Sequence, residues 1–163
     1  MKKPIALRVA MRGAAAVELA FVSIFLVLMV LAAIDFARAA YFFNQLDKAV
    51  RDGARYLSFF DPYDTGNYPV ALARNRMLYG SIAAGSAPIV PGFSASMISI
   101  CDGRDAAACP GETFSGVDTG SGTINLVKVT VTGYVYTPLF PGASRMTTFT
   151  FSPISATMRQ LFP

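Results

Sequence analysis

Hydrophobic residues are arranged along this chain in three patterns, and each predicts a different element. Residues 14–34, AAAVELAFVSIFLVLMVLAAI, form an apolar run of 21 positions with one carboxylate, Glu18, near its start. About 20 apolar residues in a helix cross the hydrocarbon core of a bilayer, so the run predicts a transmembrane helix. Beyond it, Phe36, Ala39, Phe43, Leu46, Val50, Ala54 and Leu57 recur at steps of three and four. That is the period of an amphipathic helix with one buried stripe. The opposite face carries Arg38, Gln45, Lys48, Asp52 and Arg55, and the pairs Asp47–Arg51 and Lys48–Asp52 have i,i+4 spacing. No proline interrupts 14–61, so one helix of roughly 45 residues is expected, ending at Asp61-Pro62.

The third pattern is alternation. After a turn-rich DPYDTGNYP and a second helix expected at about 70–84, the chain reads as strands. A short one covers 96–101. A half-buried one covers 127–136, with Val127, Val129, Val131 and Val135 facing in and Lys128, Thr130, Thr132, Tyr134 and Tyr136 facing out. A last strand covers about 146–160, its parity switching at Ser152-Pro153, where a one-residue bulge would restore a single buried face. The segment CDGRDAAACPGETFSGVDTGSG between strands reads as a surface excursion. The expected fold class is α+β: a long N-terminal transmembrane helix continuing into an amphipathic helix packed on a small antiparallel sheet. The expected segments are a basic, flexible leader at 1–13, the span at 14–34, the amphipathic continuation at 35–60 and a globular region at 61–163.

Charge changes this picture in one respect. Of 14 basic residues, four (Lys2, Lys3, Arg8, Arg12) precede residue 14 without an acid among them, which leaves ten basic against ten acidic residues over 14–163. The basic pI of about 9.3 therefore belongs to the leader. No basic stripe recurs, so no nucleic-acid partner is expected. Positive charge before a span favours the cytoplasmic side, which places the N-terminus inside and residues 35–163 outside.

Candidate chemistry is sparse. Cys101 and Cys109 enclose DGRDAAA. In an oxidising compartment a local disulfide is the plain reading, and two unpaired thiols the alternative. Two cysteines and no histidine argue against a zinc site and against Ser-His or Cys-His catalysis. Asp118-Thr119-Gly120-Ser121 spells the aspartic-protease tetrad but stands among turn residues rather than after an apolar strand. No P-loop or dinucleotide glycine fingerprint is present. Neither a cofactor nor a metal is expected, and the chain is not expected to be an enzyme. Tyr41, Phe42 and Phe43 read as an interfacial aromatic belt, and Tyr134 and Tyr136 as exposed residues available to another subunit.

The junction Met11-Arg12-Gly13-Ala14-Ala15-Ala16-Val17-Glu18-Leu19 carries a resemblance. A basic leader, a glycine and a long apolar helix with Glu at its fifth position resemble a type IV prepilin. RGAAAVELAF is similar to the TadE-like pseudopilins, or minor pilins, of the tight-adherence (Flp) pilus system, and AIDFARAAYFFNQLDKAVRDGARY fits the same family. Major Flp pilins have Glu-Tyr where this chain has Glu18-Leu19 and lack a sizeable C-terminal domain, which favours a minor subunit. The resemblance implies a type IV pilin-like fold and a minor pilin serving assembly, adhesion and biofilm formation. It also implies a bacterial inner-membrane, single-pass location with a periplasmic C-terminal region, and a place in the extracellular pilus. The implied partners are the membrane bilayer, a prepilin peptidase, other pilin and minor pilin subunits, and the Tad inner-membrane assembly platform. The peptidase would cut between Gly13 and Ala14, and Glu18 would neutralise the new ammonium of a neighbouring subunit and set assembly register. Two other readings remain open. Leu19–Leu31 could be the core of a secretory signal cut near Ala37-Arg38-Ala39, releasing a soluble envelope domain, or the span could be an uncut anchor.

Overall fold

In a computed structural model that describes residues 5–144 and 147–161, the apolar run and the amphipathic stripe are one helix, α1, Ile5–Leu57. It begins before the expected start, so the leader is helical from Ile5 and Gly13 lies inside the helix. Lys2 and Lys3 lie outside the described residues. The chain divides into two compact units, Met1–Ala39 with Thr137–Thr148 and Ala40–Tyr136 with Phe149–Pro163.

In the second unit the helical stripe is buried as its period requires: Leu46, Val50, Ala54 and Leu57 have no exposed surface. Phe43, however, is 41% exposed. Its ring instead meets Phe151 edge-on, centroids 5.6 Å apart, and Phe42 meets Tyr136 at 6.0 Å. Of the two i,i+4 pairs, Asp47–Arg51 closes at 2.7 Å. Ala49 and Gly53 widen the buried face toward a second helix, α2, Val70–Tyr79, whose Ala73, Met77 and Leu78 are buried. The Arg76 guanidinium lies 5.6 Å from the Tyr56 ring centroid. The helix α2 stops at Tyr79 rather than near residue 84, because Gly80 takes the left-handed conformation (φ 71°) and its N–H donates to the Arg76 carbonyl.

Three strands form one antiparallel sheet in the order β1-β4-β7: β1 is Ile98–Cys101, β4 is Leu126–Val131 and β7 is Ile154–Arg159. Ile98 pairs with Val131, which pairs with Ile154 on its other side. Val127, Val129 and Val131 are buried as expected.

The strand expected over 127–136 is broken, which corrects one reading. Gly133 adopts φ 75°, a conformation costly for any residue with a Cβ. The alternation inverts there. Tyr134 and Tyr136 are buried at 3% and 0% exposure, and Val135 is exposed. The tyrosines are therefore core residues, not an exposed face. The Tyr134 hydroxyl donates to the Pro91 carbonyl at 2.9 Å, and the Tyr136 ring stacks at 6.3 Å from Phe151. Val135–Tyr136 forms β5, paired with β6, Phe149–Thr150. The strand expected over 146–160 is likewise two strands in two sheets, and Ser152-Pro153 marks the crossing rather than a bulge within one strand. Its expected start at Met146 lies outside the described residues. Between β5 and β6 a four-residue helix, α3, covers Pro141–Ser144.

The surface excursion holds more order than expected. Cys101 and Cys109 are joined by a disulfide. Around it Phe114 is buried, with Ala106 and Leu126 packed against the cluster. The Asp102 carboxylate accepts the amides of Arg104 and Asp105, both at 2.9 Å, which shapes the enclosed loop. Val117–Asp118 (β2) and Thr123–Ile124 (β3) make a hairpin.

Candidate assembly surface on the N-terminal helix

From Gly13 to Val30 every position of α1 is exposed. Val17, Leu19, Phe21, Phe25 and Met29 each expose more than half of their surface. An apolar surface of this kind is unstable in water and suited to lipid or to sister helices. The segment Ala14–Ile34 is about 30 Å long at 1.5 Å per residue, the thickness of a bilayer core. Within Gly13–Leu57 the α1 helix is long and apolar enough to cross a membrane, and its most apolar window has nothing buried against it.

Two residues on this surface are not explained by the fold of one copy. A Cβ at Gly13 would meet nothing within 4 Å. Glycine inside an exposed helix costs about 1 kcal/mol relative to alanine, so neither packing nor backbone conformation favours it here. Glu18 is exposed and forms no ion pair among the described residues. It stands one helical turn beyond Ala14, about 6 Å along the axis, so the two share a face. A carboxylate at the centre of a spanning helix costs about 2.5–3.5 kcal/mol without a partner, and less near the end of the run, where Glu18 stands. Gly13, Ala14 and Glu18 thus lie together on one exposed stretch. Cys101 and Cys109 lie in the other unit.

One buried contact was not read from the sequence. Asp35 directly follows the apolar run, yet it has no exposed surface. Its Oδ1 accepts the Leu139 amide at 2.8 Å and its Oδ2 the Phe140 amide at 3.1 Å. The signal was its place on the helical stripe, four residues before Ala39 and eleven before Leu46. Phe36, expected on that stripe, is 70% exposed, so the buried face turns by one residue at this end.

Among the described residues no group of three or more His, Cys, Asp or Glu side chains is placed to hold a metal. The DTGS string is the turn of the β2–β3 hairpin: Asp118 Oδ1 accepts the Gly120 amide at 2.7 Å, and Thr119 Oγ1 donates to the Gly122 carbonyl. A second buried polar cluster holds the Tyr68 hydroxyl and Gln160. The Tyr68 hydroxyl closes no hydrogen bond of good geometry with protein and neither does Gln160 Oε1, although Asp102 lies near the phenol. Burial, then the Asp102 carboxylate, push the Tyr68 phenol well above its ordinary value of 10.0.

The family model described as TadE-like protein matches residues 13–55, the stretch that holds Gly13, Ala14, Glu18 and Asp35. No curated protein and no solved structure matches the chain.

Proposed function

We propose that this chain, TadE-like over residues 13–55, is a minor pilin of a Tad (Flp) pilus, inserted in a bacterial inner membrane with its N-terminus cytoplasmic. A prepilin peptidase cuts between Gly13 and Ala14, and the processed subunit joins other pilins at the Tad assembly platform. The supporting observation is that neither Gly13 nor Glu18 is explained by the fold of the isolated chain. Gly13 touches nothing, and Glu18 has no counter-charge among the described residues. Each makes sense if its partner is another molecule. A residue without a side chain lets the backbone enter a protease cleft. Cutting there leaves an ammonium on Ala14. Glu18 of a neighbouring subunit neutralises it in lipid, where two lone charges would each be expensive. That pairing fixes the axial stagger of one subunit on the next, and the apolar face from Leu19 to Ile34 supplies the packing.

The chain acts as a structural subunit rather than an enzyme. The placement of DTGS in an exposed hairpin turn supports that reading, since an aspartic-protease carboxylate needs a second one beside it. Glu18→Ala tests the pairing role. The variant is expected to be cleaved like the wild type and to give few or no pili by electron microscopy; normal piliation refutes the role assigned to Glu18.

A further inference from the structure

The segment Thr137–Thr148 belongs to the same compact unit as the apolar part of α1, and Asp35 makes a contact between them. The sequence Pro138-Leu139-Phe140-Pro141 contains no charge and, because proline lacks an N–H, only two backbone donors. Both are bonded to the Asp35 carboxylate. The tetrapeptide therefore has no unsatisfied donor, which removes one cost of placing its backbone in a water-poor layer. The carboxylate itself is fully buried and presents no charge outward. Leu139 is 54% exposed, and the helix residues on either side of Asp35, Ile34 and Phe36, are 45% and 70% exposed. Ile34 closes the apolar run, Asp35 stands one residue beyond it, and the Asp35 bonds bring Leu139 to this end of the run.

We infer that Pro138–Pro141 is a second membrane contact: a loop latched by Asp35 that seats Leu139 in the interfacial layer of the outer leaflet. The occupant of this surface is lipid at the boundary of headgroups and acyl chains. The inference rests on the reading of Ala14–Ile34 as a membrane span. Its consequence is that the exit of α1 from the bilayer is held at two points, the helix and the loop, so the segment carrying Asp35 cannot slide or rotate freely in the membrane.

The test uses the full chain in nanodiscs at one copy per disc, with an environment-sensitive fluorophore on Leu139→Cys; the native cysteines are occupied by their disulfide. Lipids bearing a nitroxide near the headgroup end of the acyl chain report interfacial contact, and iodide reports water. Lipid nitroxide is expected to quench the Leu139 probe several-fold more than iodide does. The reverse order overturns the inference, as does lipid quenching that appears only with several copies per disc, which would assign the surface to a second copy. Asp35→Ala, which removes the acceptor for both amides, is expected to restore iodide access, and Asp35→Asn to do so partly; an unchanged pattern in both overturns the latch. A probe on Phe25→Cys separates the two levels. Loss of lipid quenching at Phe25 defeats the spanning reading, whereas loss at Leu139 alone defeats only the loop contact.

Discussion

Replacing Gly53 with alanine tests how closely α1 and α2 pack. Gly53 is buried in the middle of the amphipathic half of α1. A Cβ there would overlap Sδ and Cγ of Met77, and Met77 has no exposed surface into which to retreat. Alanine gains about 1 kcal/mol in helix propensity. Forcing a methyl into a filled core costs about 1–3 kcal/mol. The net expectation is a loss of up to about 2 kcal/mol. Truncating Met77 to alanine removes the obstructing atoms, so in that background Gly53→Ala should gain about 1 kcal/mol, the propensity term alone. The double-mutant cycle thus has a coupling energy of about 1–3 kcal/mol, within the range seen for touching residues. Urea titration of the full chain in detergent, followed by the tyrosine signal in near-UV circular dichroism, reads all four stabilities. If Gly53→Ala has the same effect with and without the Met77 side chain, the close approach is wrong.

Two further outcomes are expected. Tyr68 has its folded-state pKa raised by burial and Asp102, so its contribution is fully present below the ordinary value of 10.0 and is lost as pH rises above it. Tyr68→Phe should flatten the fall in stability above that pH, and below it should be neutral or stabilising by about 1 kcal/mol, because the hydroxyl forms no good hydrogen bond; a large loss at neutral pH would contradict this. Reducing the Cys101–Cys109 disulfide should lower stability by roughly 2–3 kcal/mol in the chain-entropy account, read as a shift in urea midpoint with reductant, and an unchanged midpoint would show that the bond adds nothing.

Much of the fold was legible because it follows from period. The apolar run, the stripe Leu46-Val50-Ala54-Leu57 and the inward valines of β4 were all readable: the run is one exposed helical stretch over 13–30, and the stripe and the valines are buried. What was not legible depends on single backbone conformations or distant partners. Gly133 at φ 75° reverses which residues face inward, so two tyrosines that alternate with valine in the sequence become core. Gly80, with the same kind of conformation, ends α2 early. The burial of Asp35 was not legible because its partners are amides more than a hundred positions away. The candidate surface itself was legible in Gly13, Ala14 and Glu18 because their chemistry is local and out of place in an apolar helix. The partners proposed for Gly13 and Glu18 are other molecules.

In the proposed mature subunit the spanning helix is kept and begins at Ala14. N-terminal sequencing of the protein extracted from membranes, in cells with and without a prepilin peptidase, tests it directly. Ala14 is expected as the first residue when the peptidase is present, and an unshortened chain when it is absent. A first residue near Ala40, or the same uncut chain in both cells, would contradict it.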